Sequence, residues 1–246
     1  MKLNIYAAAM GDAIASVAGN IVAECGQQFE FDFAEGEFAY LFVADSKGRC
    51  KGQSVGVFAL EHLRDGFSMG DLKRESIVDD FSDQCRYLNA EINGVGEHLK
   101  DVANHGCHLN GFIGVNDEAM VAAVGEGAVF LFRDDTLYRI SEPTAPLGYG
   151  REEEDSVMWQ TNEPLQEGDK LLIVSGGILE RLDDEQLEDE MAMSKLPTQT
   201  IMDLFLSEGP IAPAAVIAAK VGGGGFIEID EDEEYEEGDG RYDAWV

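Results

Sequence analysis

Candidate catalytic and metal-binding residues in this chain stand directly after strongly apolar runs. Asp45 follows the apolar run at 41–44 and opens a polar turn with Ser46, where a carboxylate and a backbone carbonyl offer the hard oxygen ligands that divalent cations prefer. Ser175 ends a second apolar run, at 171–174, and is followed by two glycines. No glycine stands two positions before this serine, so the segment does not match the nucleophile elbow of α/β-hydrolases.

Two further groups of residues have the types that bind metals but not the spacing. His105, Cys107 and His108 are too close together in an extended segment to face one ion, because neighbouring side chains point to opposite sides. The acidic segment 230–239 lacks the glycine and the terminal glutamate of an EF-hand loop. The 4 cysteines show no paired short spacing, so they are expected to be buried, reduced thiols.

The composition is that of a globular and strongly acidic protein. Hydrophobic residues make up 45% of the chain, and no apolar run is long enough to cross a bilayer. The 49 acidic and 17 basic residues give a net charge of −32, which disfavours direct binding to nucleic acid. Three explanations for this charge stay open: a hydrated surface, docking to a basic protein partner, and mimicry of nucleic acid. A cytoplasmic location is expected, because residues 1–10 fit a strand better than a signal peptide.

The first half of the chain predicts strands followed by two helices. Strands are predicted at residues 3–9, at 29–33, where aromatic and acidic residues alternate, and at the apolar run 38–44, which is expected to end in a turn at 45–48. Two amphipathic helices are predicted at 53–67 and 77–102. Gly94 and Gly96 predict a kink or a break near the end of the second helix.

The second half is predicted to begin with an antiparallel meander and to end in helices. The meander strands are expected at 111–115, 120–124, 129–133 and 137–140, separated by polar turns. A polar connection at 141–162 leads to a buried strand at 170–174. Helices are then predicted at 183–191, 198–207 and 213–221, the last one ended by the glycines at 222–225, with a final strand at 226–229.

Taken together, these patterns predict one α+β domain at residues 1–229. Its expected architecture is a four-layer α-β-β-α sandwich, in which two antiparallel sheets are flanked by helices. Residues 230–246 are predicted to form an acidic, mobile C-terminal tail, because blocks of like charge stay solvated.

The order and spacing of four segments resemble the metal-dependent serine/threonine protein phosphatases of type 2C, the PPM family. These segments are 41–48, 106–109, 123–133 and 168–177, and the resemblance extends over nearly the whole chain. It implies the PPM fold. In that family, aspartates hold two divalent cations, so the implied cofactor of an active enzyme is Mn or Mg.

Position by position, the resemblance implies that most of the family's site is lost. The family's Asp-Gly-x-Gly-Gly turn corresponds to 45–49, so Asp45 and the carbonyl of Ser46 are the implied residual metal ligands. Glu126 conservatively replaces the aspartate of a Gly-Asp pair. The altered positions are Val17 for the phosphate-binding basic residue, Asn20 and Val22 within the Asn-Glu-Asp motif, Gly176 within the Ser-Asp-Gly turn, and 225–228 at the final Asp-Asn motif.

Other charged residues near these positions are weaker candidates. Arg49 and Lys51 are candidates to contact a phosphate or a partner, and a turn-capping role is the alternative to a metal role for Asp45. The spacing of the remaining nearby acids does not predict that they converge. These acids are Asp12, Glu24, Glu228 and Asp230.

Three functions compete on this evidence. The first is a pseudophosphatase that acts in regulation or signalling by binding a protein partner, such as a phosphoprotein or a kinase. The second is an active Mn- or Mg-dependent serine/threonine protein phosphatase with a rearranged metal site. The third is an acidic interaction module that works through the tail. The first is favoured, because one retained carboxylate cannot hold the two dications that activate a water nucleophile.

Overall fold

The computed structural model describes residues 1–23, 26–115, 118–151, 157–160, 164–223 and 225–227. Its strands are, in chain order, β1 (Lys2–Met10), β2 (Ile14–Val17), β3 (Asn20–Val22), β4 (Gln27–Asp32), β5 (Phe38–Lys47), β6 (Arg49–Cys50), β7 (Gln53–Ser54), β8 (Gly106–Val115), β9 (Glu118–Val124), β10 (Gly127–Arg133), β11 (Thr136–Arg139), β12 (Leu147–Gly148), β13 (Val157–Gln160), β14 (Lys170–Ser175) and β15 (Ala214–Val221). Its α-helices are α1 (Val55–Met69), α2 (Ile77–Leu99), α3 (Gly176–Leu179), α4 (Asp184–Met193) and α5 (Pro197–Ser207), with 3-10 turns at Arg74–Ser76 and Val102–Asn104.

Most of the strands form two antiparallel sheets that pack face to face. The first sheet has the order β11-β10-β14-β15-β1-β4, and the second has the order β13-β9-β8-β5-β2-β3 with β12 beside β8. Helices α1 and α2 cover the outer face of the second sheet, and α4 and α5 cover that of the first. The predicted four-layer sandwich is therefore confirmed. No helix among the described residues is long and apolar enough to cross a membrane.

The core between the two sheets explains why the central strands are apolar throughout. Ile5, Leu41 and Ile217 are fully buried there. Along β5, Leu41 faces the other sheet whereas its neighbour Phe42 packs under the helices. Successive side chains alternate between faces, so a strand covered on both sides must be apolar at every position.

Strand β5 extends farther than the sequence predicts. Asp45 lies opposite His108 and Ser46 lies opposite Cys107 in the ladder between β5 and β8. The predicted turn at 45–48 is therefore wrong in its position. The chain turns only at Gly48, whose φ of 82° is in the left-handed region that glycine tolerates.

Both early helices are confirmed. Helix α1 begins after Ser54, whose hydroxyl accepts a hydrogen bond from the Val57 N–H at 3.2 Å. Helix α2 runs unbroken through Gly94 and Gly96, so the predicted break is wrong and the alternative of a kink stays a prediction. Gly96 instead allows a close approach, because a Cβ at this position would lie 3.0 Å from the Cα of Val102.

The helix predicted at 213–221 is wrong, and this is the largest difference between the prediction and the structure. Residues 214–221 form strand β15, which pairs with β1 on one side and with β14 on the other. Its four alanines favour a helix by local propensity, but two flanking strands satisfy its backbone groups and both of its faces are buried. The glycines at 222–225 therefore follow a strand. The other two late helices are confirmed as α4 and α5.

The meander strands exist but are divided between the sheets. Strands β8 and β9 belong to the second sheet and β10 and β11 to the first, so the chain crosses between sheets at Gly125, Glu126 and Gly127. The predicted polar connection contains the short strands β12 and β13. Phe226 and Ile227 lie in no strand, which contradicts that part of the predicted final strand. Residues 228–229 and the acidic tail 230–246 lie outside the described residues.

Candidate functional site

A cleft of about 610 Å³ opens at one end of the sandwich and is lined by residues from both sheets. Its chemistry divides into two groups of side chains. The carboxylates are Asp12, Asp45, Glu126 and Glu180. The hydrogen-bond donors are Lys47, His108, Tyr149 and Arg151.

Asp45 lies at the end of β5 and is the carboxyl group most affected by its surroundings. Its pKa is raised to about 6, first by burial and then by the negative charge of Glu180. Asp12 adds a smaller contribution in the same direction, and the opposing effect of Lys47 does not outweigh them. A carboxylate well supplied with donors or cations would show a lowered pKa. Asp45 is therefore an incompletely compensated charge.

Ser46 is a structural residue as well as a neighbour of the cleft. It is buried, and its hydroxyl accepts a hydrogen bond from the backbone N–H of Gly56 at 2.9 Å. A Cβ at Gly56 would lie 2.9 Å from that oxygen, so α1 approaches β5 closely at this point. The side chain of Ser46 is thus committed to joining a helix to a strand.

After β14, the first carboxylate along the chain that lines the cleft is Glu180. Ser175 accepts a hydrogen bond from the Ala215 N–H at 2.9 Å, which joins β14 to β15 at this end. A Cβ at Gly177 would lie 2.2 Å from the carbonyl oxygen of Pro213. Backbone therefore fills the space beside Gly177, the side chain of Glu126 lies beside Gly176, and Gly176 has no side-chain ligand atom.

His108 and Glu126 come together where the chain crosses between the sheets. The backbone N–H of Glu126 donates to Nδ1 of His108 at 2.9 Å. Burial lowers the pKa of His108, so its imidazole is held in the neutral form. Because Nδ1 accepts, the neutral ring carries its proton on Nε2 and can donate from there.

The loop after β12 is held in place by two asparagines of α2. Asn89 Oδ1 accepts from the Gly148 N–H at 2.7 Å, and Asn93 Oδ1 accepts from the Gly150 N–H at 2.9 Å. Asn93 also donates through Nδ2 to the carbonyl oxygen of Arg151 at 2.8 Å. These bonds fix the backbone that carries Tyr149 and Arg151 at the cleft.

The hairpin positions named from the family motif do not lie at this cleft. Val17 is opposite Leu41, four residues before Asp45 on β5, and Val17 and Val22 are buried in the core between the sheets. Asn20 donates through its side chain to the carbonyl oxygen of Val17 at 3.0 Å, within the turn of the hairpin. The residue before β2 that does reach the cleft is Asp12.

The two basic candidates lie beside the cleft rather than in it. Arg49 donates to the Gly52 carbonyl oxygen at 2.7 Å and lines a smaller neighbouring pocket that includes Asp12. Lys51 forms an ion pair with Glu91 of α2. Their roles as phosphate or partner contacts stay predictions.

The segment matched to the final motif of the family is at the wrong end of β15. Residues 225–227 follow Val221, whereas Ala214 begins the strand at the cleft, and eight residues of strand span roughly 25 Å. The residues that precede β15 and line the cleft are Ala212 and Pro213, neither of which has a polar side-chain atom. Glu228, Asp230 and Glu24 lie outside the described residues.

These side chains do not fit a centre for two divalent cations. Such a centre needs several oxygen ligands on each ion. Within the described ranges, no three His, Cys, Asp or Glu side chains converge closely enough to hold a metal ion. Ser46, Gly177 and Pro213 line the cleft together with Asp45, and Glu180 and Asp12 repel the charge of Asp45.

Comparison with solved structures identifies the architecture. The catalytic domain of the serine/threonine phosphatase PstP with two manganese ions matches with a TM-score of 0.62 and 16% identity, over 89% of this chain and 100% of that one. The Mycobacterium tuberculosis phosphatase PstP matches at 0.63 and 15%, over 90% and 99%. Stp1 from Staphylococcus aureus matches at 0.65 and 14%, over 89% and 95%. The fold is that of the bacterial serine/threonine phosphatases.

The resemblance inferred from the sequence is thus confirmed at the level of the fold. Identities of 14–16% carry no further assignment to this chain. The sequence matches no protein-family model and no curated protein.

Sequence reasoning missed several residues that line the cleft. Tyr149 stands between Gly148 and Gly150 in a polar connection, a pattern that favours a tight loop presenting one aromatic ring. Glu180 follows the glycines after β14 by three residues, and no spacing rule connects it with Asp45. Only the register of the strands brings these residues together.

Proposed function

We propose that this protein is a pseudophosphatase, which has the phosphatase fold but acts by binding a protein partner instead of hydrolysing phosphate esters. The observation that carries the proposal is the surroundings of Asp45. Among the described residues, no three His, Cys, Asp or Glu side chains converge there closely enough to hold a metal ion, and Gly177 and Pro213 line the same cleft.

The charge requirement of the chemistry supports this proposal. Metal-dependent hydrolysis lowers the pKa of a bound water from 15.7 to about 7, and this depends on ions held at fixed positions. The described residues supply neither a set of three ligands nor a basic residue at Val17. Without ions held at fixed positions, no metal clamp stabilises both the attacking and the leaving oxygen.

The partner is proposed to be a cytoplasmic protein with basic or phosphorylated segments, such as a kinase. The net charge of −32 favours a basic partner through electrostatic steering. A structural neighbour, PppA of Pseudomonas aeruginosa, is described as a key regulatory component of a secretion system, at 16% identity and a TM-score of 0.60. That protein shows that the fold occurs in a regulatory role.

One observation favours a second candidate, an active phosphatase with a rearranged Mn or Mg site. Asp12, Glu126 and Glu180 line the same cleft as Asp45, although they do not converge on a common point. Small movements of these side chains on cation binding would be needed to build such a site.

Hydrolysis of a small aryl phosphate with manganese separates the two candidates. The expected result is no turnover above that of the buffer, for the wild type and for Asp45→Ala alike. The matched control is Asp65→Ala, which removes an exposed carboxylate on α1 that does not line the cleft. Turnover that Asp45→Ala abolishes and Asp65→Ala preserves would overturn the proposal.

A further inference from the structure

The loop beside the cleft holds a strained residue. Gly148, Tyr149 and Gly150 all have positive φ angles, of 79°, 56° and 71°. The two glycines adopt this conformation freely, but a tyrosine does so only where its surroundings impose it. Backbone strain of this kind concentrates at functional sites.

The contacts around Tyr149 are sufficient to impose that conformation. Its backbone N–H donates to the His105 carbonyl oxygen at 2.7 Å, and Asn89 and Asn93 hold the residues on either side. The ring lies flat against Gly106, where a Cβ would be only 2.1 Å from it. The tyrosine is therefore fixed at both its backbone and its ring.

Three hydrogen-bond donors line the cleft at this loop: His108, Tyr149 and Arg151. The Tyr149 ring is 5.7 Å from the His108 ring between centroids, and Nε2 is the nitrogen left to His108 for a ligand. Arg151 follows two residues later on the same clamped loop. Among the described residues, none accepts a hydrogen bond from the Tyr149 hydroxyl or from His108 Nε2.

Three donors suit an oxygen anion, but the carboxylates of the same cleft repel one. Asp12, Asp45, Glu126 and Glu180 would all act on a free anion that entered the cleft. A ligand that brings positive charge beside its oxyanion satisfies both groups of side chains, because each then meets a group of opposite charge.

We propose that Tyr149 selects the ligand of this cleft, and that the ligand is a basic peptide segment carrying one oxyanion. His108, Tyr149 and Arg151 hold the oxyanion, and Asp12 and Glu180 receive the basic side chains. Asn89 and Asn93 are positioning residues. The protein nature of the ligand rests on the proposed function.

Calorimetry on the full-length chain tests this proposal with four synthetic peptides. One carries phosphoserine between arginines, the second has aspartate in place of the phosphoserine, the third has plain serine, and the fourth has glutamates in place of the arginines. Either the phosphoserine or the aspartate peptide should bind at least about 10-fold more tightly than the serine and glutamate peptides. The tighter of the two identifies the oxyanion.

The deciding variant is Tyr149→Phe, which keeps the ring on Gly106 and removes only the hydroxyl. It should weaken binding about 10-fold with an unchanged melting temperature. Tyr138→Phe, on the exposed edge strand β11, is the matched control and should change neither.

Three outcomes overturn the proposal: no binding of either anionic peptide, equal binding by Tyr149→Phe, or a fall in melting temperature that parallels the loss of binding. The last outcome would give Tyr149 a purely structural role. Turnover of an aryl phosphate would refute the pseudophosphatase without affecting the role of Tyr149, so the two proposals fail separately.

Discussion

Asp45 is the residue of the cleft whose ionisation is most affected by its surroundings. Burial and nearby negative charge both disfavour an ionised carboxylate when no cation is bound. Here burial and two neighbouring carboxylates raise the pKa of Asp45 to about 6. The ionised form therefore opposes folding at neutral pH.

This opposition predicts that Asp45→Asn stabilises the protein at pH 7.5. The folded-state pKa is above the ordinary value of 3.8, so the favourable contribution of the protonated group is complete below pH 3.8 and is lost as the pH rises through about 6. Because Asp45 is partly exposed, the gain at pH 7.5 should be about 1 kcal/mol, seen as a higher melting temperature in the presence of a chelator.

At pH 4 the same substitution should have little effect, since the wild-type carboxyl is then largely neutral. Asp65→Asn, at an exposed position, is the control and should change stability little at either pH. A destabilising effect of Asp45→Asn at pH 7.5 would show that the carboxylate is compensated after all.

Among the elements, helix α2 acts on the cleft without lining it. Its apolar stripe packs on the second sheet, while Asn89 and Asn93 reach the loop that carries Tyr149. The helix thus adds to the contacts that β8 makes with this loop and joins the loop to the core.

Removal of one of these side chains should loosen the loop selectively. Asn93→Ala deletes the partner of the Gly150 N–H and the closer of the two donors to the Arg151 carbonyl, at a cost of about 1 kcal/mol. Hydrogen exchange should accelerate at Gly150 and leave the strands of the core unaffected. Asn104→Ala, which removes a side-chain bond to Asp101 in the 3-10 turn, is the control. Unchanged exchange at Gly150 would contradict the clamp.

The placement of strand β15 can be tested by substituting one of its buried side chains. Ile217 is fully buried between the sheets, so Ile217→Ala should lower the free energy of unfolding by about 3 kcal/mol, measured by urea denaturation. Ile211→Ala removes the same atoms from a residue that is 80% exposed, so its effect should be close to zero. Equal effects of the two substitutions would refute the placement of β15.

The elements differ in how far the sequence predicts them. β5 and α2 follow from hydrophobic periodicity, because each packs a large apolar face. β15 does not, since its alanines favour a helix and only the two neighbouring strands decide otherwise. At the site, Asp45 follows from its position after a buried run, whereas Glu180 and Tyr149 depend on strand register and loop closure, which leave no local pattern.

At the scale of the whole molecule, the net charge of −32 opposes compaction by self-repulsion. Salt screens this repulsion, because the Debye length falls from about 30 Å at 0.01 M to about 3 Å at 1 M. The melting temperature should therefore rise with sodium chloride at pH 7.5. At pH 4, where many carboxyl groups are protonated, the dependence should be weaker. A melting temperature that falls with salt at pH 7.5 would mean that attractive ion pairs outweigh the repulsion.

We propose that the cleft cannot hold a pair of divalent cations. A crystal soaked in manganese, with the anomalous signal of the metal measured around Asp45, tests this directly. No pair of ions should appear there, because the described acids of the cleft do not converge. Two peaks about 4 Å apart, bridged by Asp45 and ligated by carboxylates from elsewhere in the chain, would contradict it.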